Sequence, residues 1–170
     1  MKQLQEQHPY HIYLDTSFFG FLCPAHDEEG HFVVDYQRVK GWTKPSRLPT
    51  GRKTLFELEK VFIPINEGNI HWVLVVVDLV GKREGGEHHP SVSFFDSQGR
   101  NGIDYVEAIQ EYLLSELSNR GEEEELEALT LVSQPPLNAP KQFNNSDCGV
   151  LMLHVIEVRW IQQGTGIFKG

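Results

Sequence analysis

The chain carries two cysteines and eight histidines in 170 residues, and few of them stand where chemistry needs them. Cys148 does. It lies in "KQFNNSDCGV" (141–150), behind the turn-forming run Asn144, Asn145, Ser146 and Asp147 and ahead of the apolar stretch "VLMLHVI". This seam reads as a polar loop entering a buried helix, with Ser146 or Asp147 available to cap it. The first N–H groups of a helix have no internal partner and carry partial positive charge. A thiolate is stabilised there. The same N–H groups can hold the oxyanion formed when a thiolate attacks a carbonyl. Most cysteines simply pack, and Cys23, in "GFLCPAH", is read that way because it has neither a polar approach nor a helix start.

A nucleophile needs a base, and the base needs an orienter. His71 precedes Trp72 and opens the apolar run "HWVLVVVDL" (71–79), which marks it as a rim residue of an otherwise buried strand. Asp78 and Asp96 are the carboxylates within reach. A hairpin of 71–79 with 91–96, centred between Arg83 and Glu84, sets His71 directly opposite Asp96. Asp78 lies at an odd offset from His71, so on a regular strand it points to the other face. Asp96 is therefore the expected partner. His88 and His89 fall in the turn, His154 lies in the last helix, and His8, His11, His26 and His31 show no ligand spacing. No metal site is expected.

The elements that must position these groups follow from periodicity. "YHIYLDTSFFGFL" reads as a short buried element. "VFIPI" (61–65), "HWVLVVVDL" (71–79), "SVSFFD" (91–96) and "LTLVS" (129–133) read as strands. The second is apolar on both faces and so central in its sheet. Ile103, Val106, Ile109, Leu113 and Leu117 mark one face of a helix that Asn101 can cap. The last helix starts at about Cys148 and is apolar almost all round to Ile161, so it is expected at the centre of the domain. The glutamate run "GEEEELEAL" and the proline-rich "QPPLNAPK" read as loops. The basic stretch "VDYQRVKGWTKPSRLPTGRK" reads as a solvated loop, with a contact surface for an acidic partner as the functional alternative.

Composition narrows the classes. The length suits a single domain spanning 1–170. A net charge of −9 argues against a generic nucleic-acid binder. No run is long enough to span a bilayer, and "MKQLQEQHPYHIYLD" has no apolar signal core. Two cysteines make no disulfide framework, so a reducing interior is expected.

Taken in order, His71-Trp72 opening a strand, then "FFDSQG", then "QFNNSDCGV", resemble the ubiquitin-like-protein-specific cysteine proteases. That family includes the SUMO (sentrin) proteases and, more distantly, adenoviral proteinase. Gln142, Asn144, Asp147, Cys148 and Gly149 fill its Gln-x-Asn-x-x-Asp-Cys-Gly pattern in register. "VFIPINEGNIHWVLVVVDL" and "YQRVKGWTK" resemble the segments that lead into its histidine. The likeness runs roughly from Tyr10 to Trp160, and three motifs in the right order are far more specific than one.

The resemblance implies an α+β, papain-like architecture, with a central cysteine-bearing helix packed on a mixed sheet. It implies Cys148 as nucleophile, His71 as general base and Asp96 as its orienter. Gln142 and the Cys148 N–H would form the oxyanion hole. Trp72 would pack beside the dyad, and Asn144, Asp147 and Gly149 would flank the substrate. The reaction implied is cofactor-free hydrolysis after the C-terminal Gly-Gly of a ubiquitin-like modifier, SUMO first among them. The modifier and its conjugates would be the partners of a monomer resident in the nucleus or cytoplasm, or of a host-directed effector. The family's Trp-Leu-Asn/Asp-Asp-like segment, which covers the modifier's tail, has no counterpart here, and the C-terminal end is short. A domain lacking both is expected. Two alternatives stand beside hydrolysis: a non-catalytic modifier-binding descendant, and an acyltransferase using a similar His–acid–Cys set.

Overall fold

Three strands with alternating side chains organise the molecule. The computed structural model describes residues 8–49, 51–80, 90–120, 132–133, 140–144 and 146–157. In chain order the elements are β1 (His11–Tyr13), α1 (Phe18–Leu22), β2 (Ala25–His26), β3 (Phe32–Val33), β4 (Lys60–Glu67), β5 (His71–Asp78), β6 (Ser91–Phe95), α2 (Ile103–Arg120), β7 (Val132–Ser133) and α3 (Cys148–Val155). The main sheet has the order β1-β4-β5-β6-β7. Its two outer pairings are parallel and its two inner ones antiparallel. β2 and β3 form a separate antiparallel pair.

β5 is central because its side chains are apolar on both faces. Val73, Val75 and Val77 join Ile63, Ile65, Val92 and Phe94 on one side, where Val106, Ile109, Tyr112 and Leu113 of α2 cover them. Leu74 and Val76 join Phe62 and Phe95 on the other, against Met152 and Val155 of α3. Each such fully buried aliphatic side chain contributes about 1.5–3 kcal/mol. The turn from β4 to β5 uses left-handed backbone at Gly68 (φ 57°) and Asn69 (φ 60°), the two residue types that reach it at least cost. The turn sets Glu67 opposite His71 in the ladder.

Three expectations need correction. The β5–β6 ladder pairs Leu74 with Phe95 and Val75 with Phe94, two residues away from the register that puts His71 opposite Asp96. A slip of two keeps every side chain on its face, so His71 and Asp96 still share one. Secondly, α3 is buried on one side only: Cys148, Met152 and Val155 face the sheet, whereas Val150 is 68% and Leu153 52% exposed. Overall hydrophobicity without period gave no hint of which side would be open. Thirdly, the basic stretch is not simply solvated. Lys40, Lys44, Arg47 and Lys53 are exposed, but Val39, Thr43 and Leu48 are buried.

That stretch is tied down by a buried carboxylate. Glu116 of α2 accepts from Tyr36 Oη at 2.7 Å and Thr43 Oγ1 at 2.9 Å, and pairs with Arg120 at 2.7 Å. A buried charge is tolerable only when paired and hydrogen-bonded in this way. Asn101 Oδ1 accepts the Ile103 N–H at 3.4 Å from one residue before the cap position, which Gly102 occupies. The glutamate run, residues 134–139 of the proline-rich loop, His88, His89 and residues 158–161 of the last helix lie outside the described residues.

Candidate active site

The rim of the sheet gathers the polar groups that the strands exclude from the core. His71 is the first residue of β5, and Asp96 follows the last residue of β6. Both are buried, at 6% and 4% exposure. His71 Nε2 lies 2.7 Å from Asp96 Oδ1. With Nε2–H donated to the carboxylate, Nδ1 carries the lone pair and can take a proton. The amide of Gln98 approaches Nδ1 at 3.5 Å, the limit of a hydrogen bond.

Asp96 is held from several directions. Its Oδ1 also accepts the Gln98 N–H at 2.8 Å, and its Oδ2 accepts from Arg100 Nε. Burial opposes ionisation of Asp96, but the Gln98 N–H, His71 and Arg100 outweigh it and hold the carboxyl below the usual range. Arg100 also donates to Glu67 Oε2 at 2.7 Å, and Tyr105 Oη donates to Glu67 Oε1. Arg100 is thereby kept firmly charged: partial burial alone would lower its pKa, but Glu67 and Asp96 raise it. Asp78 takes no part. It sits at the far end of β5, where Lys60 Nζ meets its Oδ2 at 2.6 Å.

Cys148 is the first residue of α3 and is 3% exposed. Asp147 occupies the cap position but makes no capping bond. Its carboxylate instead accepts from Asn144 Nδ2 at 2.7 Å. Asn144 organises the loop from the other side, its Oδ1 accepting the N–H groups of Ser146 and Asp147 at 3.0 Å each. Capping by Ser146 or Asp147 is thus corrected to an Asn144-centred turn.

The loop is fixed to the rim through Gln142. Its N–H donates to Ser97 O at 3.0 Å, and Ser97 Oγ donates to Gln142 Oε1 at 2.7 Å. α3 is fixed to β5 through Gly149, where an added Cβ would stand 3.2 Å from Trp72 Cδ1. Trp72, Gly149, Ser146, Val150 and Met152 line an apolar pocket of about 440 Å³ with Pro64 and Thr16.

The structure therefore brings His71, Asp96 and Gln142 to one end of the sheet, and brings Trp72 and Gly149 into contact at the base of the cysteine helix. Sequence reasoning gave no role to Glu67, Arg100 or Tyr105, which come from three separate segments. Cys23 is buried, and burial together with Glu111 pushes its thiol up to about 12. Among the described residues no group of three histidines, cysteines or carboxylates could hold a metal ion. No described helix is long and apolar enough to cross a membrane.

A helix that opens on a cysteine, packed on a mixed sheet whose rim carries a buried His–Asp pair, defines the papain-like α+β class. Residues 5–163 match the model of the Ulp1 protease family, C-terminal catalytic domain, and the chain belongs to that family. It is 36% identical over 116 residues to sentrin-specific protease 2 of Mus musculus, covering 68% of this chain and 17% of that protein. It is 32% identical over 128 residues to sentrin-specific protease 5 of Homo sapiens, covering 75% of this chain and 15% of that protein. The chain thus spans less than a fifth of these curated relatives. Among solved structures, the C-terminal Ulp1 protease domain in complex with Smt3, the yeast ortholog of SUMO, superposes with a TM-score of 0.61 at 25% identity. That match covers 92% of this chain and 60% of the other.

Proposed function

We propose that this domain is a cysteine protease that hydrolyses the peptide or isopeptide bond after the C-terminal Gly-Gly of a ubiquitin-like modifier, with SUMO as the first candidate. The observation that carries this reading is the buried His71–Asp96 pair, Nε2 to Oδ1 at 2.7 Å, at the sheet rim to which Gln142 ties the cysteine loop. The sentrin-specific proteases and the Smt3-bound Ulp1 domain among its relatives point to the same substrate class.

In this mechanism Cys148 Sγ gives its proton to His71 Nδ1 and attacks the carbonyl carbon of the terminal glycine. The oxyanion is held by the Gln142 amide and the Cys148 N–H. Collapse breaks the C–N bond, and His71 returns the proton to the departing amine, leaving a thioester. Water, deprotonated by His71, attacks the thioester and releases the modifier's carboxylate and the thiol. Asp96 keeps Nε2 protonated and stabilises the imidazolium between these steps. No cofactor enters. Trp72 and Gly149 bound the approach to the thiol, and glycines suit a narrow approach because they carry no side chain. Asn144 and Asp147 shape the loop that presents Gln142 and Cys148. The protein would act as a monomer in the nucleus or cytoplasm.

The test is covalent capture. The purified chain is offered SUMO and ubiquitin, each with a C-terminal electrophile, and Cys148→Ala serves as control. A Cys148-dependent adduct with SUMO is the expected result. An adduct with ubiquitin alone would move the substrate class, and none with either, from a folded chain, would favour a binding domain.

A further inference from the structure

Gln142 is useful to an oxyanion only if its NH2 end faces the reacting carbonyl, and an amide can turn either end outward. In the structure Ser97 holds the oxygen end. Its hydroxyl is in a residue only 1% exposed, and it donates to Gln142 Oε1 at 2.7 Å. Its carbonyl accepts the Gln142 N–H at 3.0 Å. Two bonds from one residue therefore fix both the backbone and the amide of Gln142. With Oε1 occupied as acceptor, both hydrogens of Nε2 remain for other partners, and among the described residues no acceptor takes them. Ser97 also follows Asp96 directly, so the segment that holds the base's carboxylate holds the oxyanion donor as well.

We infer that Ser97 is a positioning residue that tethers the Gln142 amide as an oxyanion donor beside the His71–Asp96 pair. This rests on the oxyanion role given to Gln142 above. The side chain itself touches no reacting atom. It acts by tethering the amide through its oxygen end, so that the donor is held in place before charge develops.

Ser97→Ala, Gln142→Ala and the double variant test the inference through two reactions of the same thiol. One is hydrolysis of a SUMO C-terminal amide. The other is alkylation of Cys148 by iodoacetamide, a displacement at a saturated carbon that builds no oxyanion. Ser97→Ala is expected to lower kcat about tenfold with KM unchanged, a part of the hundredfold or greater loss from deleting a donor outright. Its alkylation rate should stay at the wild-type value. The double variant should be no slower than Gln142→Ala alone, because Ser97 acts only through that amide. A wild-type kcat for Ser97→Ala beside a slow Gln142→Ala would overturn the positioning role and leave the oxyanion reading intact. Equal losses in hydrolysis and alkylation would mark Ser97 as merely structural. A wild-type kcat for Gln142→Ala would remove the oxyanion reading itself, and this inference with it.

Discussion

His71 and Asp96 bond at 2.7 Å although neither is the other's partner in the β-ladder. The paired region of β5 and β6 stops at Leu74 and Phe95, and the two side chains meet diagonally beyond it. Diagonal neighbours on one face are within reach of long side chains. The contact is therefore held by what surrounds the carboxylate, namely the Gln98 N–H and Arg100, and not by strand pairing.

Asp96→Asn is expected to lower kcat/KM on a SUMO amide by about a hundredfold or more, since the imidazole loses its orienter. Asp78→Asn should leave turnover nearly unchanged. It breaks the largely buried pair with Lys60 at the other end of the strand, which costs about 1–3 kcal/mol of stability. Steady-state kinetics and urea denaturation of both variants separate the two carboxylates. Equal kinetic losses would refute the assignment of roles.

The two thiols should differ sharply. Cys148→Ala is expected to abolish turnover, and Cys23→Ala to preserve it. Cys23, its pKa raised to about 12 by burial and by Glu111, holds almost no thiolate at neutral pH and should resist iodoacetamide in the folded chain. Mass spectrometry after brief alkylation reads the site directly. Rapid labelling of Cys23 would contradict the packing seen here.

Two glycines test the packing behind the site. Gly102 has φ 61°, and a Cβ there would fall 2.1 Å from the Phe94 ring. Gly102→Ala should cost about 3 kcal/mol through strain and overpacking together, read as a lowered Tm. At Gly149 the Cβ would meet Trp72 at 3.2 Å, while the helix gains about 0.5–1 kcal/mol from alanine. Gly149→Ala is expected to change Tm little but to lower kcat/KM by displacing Trp72.

Acid sensitivity has an identifiable origin outside the site. Burial, helped by His8 and Lys60 and opposed by Asp78, pushes the His11 imidazole down to about 4. Unfolded chains bind that proton near pH 6.5, so the stability it contributes is complete above about 6.5 and is lost as pH falls toward 4. Glu59 Oε2, 3.5 Å from His11 Nε2, favours the protonated ring and limits that loss to about 1–3 kcal/mol. His11→Gln should flatten that part of the profile, measured as urea midpoints between neutral and acidic pH. The Asp96 carboxyl, held below its ordinary range, loses its contribution only at lower pH still.

The sequence by itself determined the central strands, the long helix and the candidate reacting groups. Strands at 61–65, 71–79 and 91–96 follow from short apolar runs of strand-forming residues, and the helix through Ile103 and Leu117 from a period of three to four, both of them local signals. Cys148 at a loop-to-helix seam and His71 at a strand's rim were legible for the same reason. Face parity sufficed to prefer Asp96 over Asp78 even though the inferred register was two residues off, because parity survives a slip of two. Only the tertiary structure decided which side of α3 is open, since an apolar run without period does not distinguish its faces. It alone gathered Glu67, Arg100 and Tyr105 behind Asp96, and turned Ser97 onto Gln142. Except for Arg100 with Asp96, four residues away, those contacts join residues far apart in the chain, and no local pattern encodes a partner that only folding brings near.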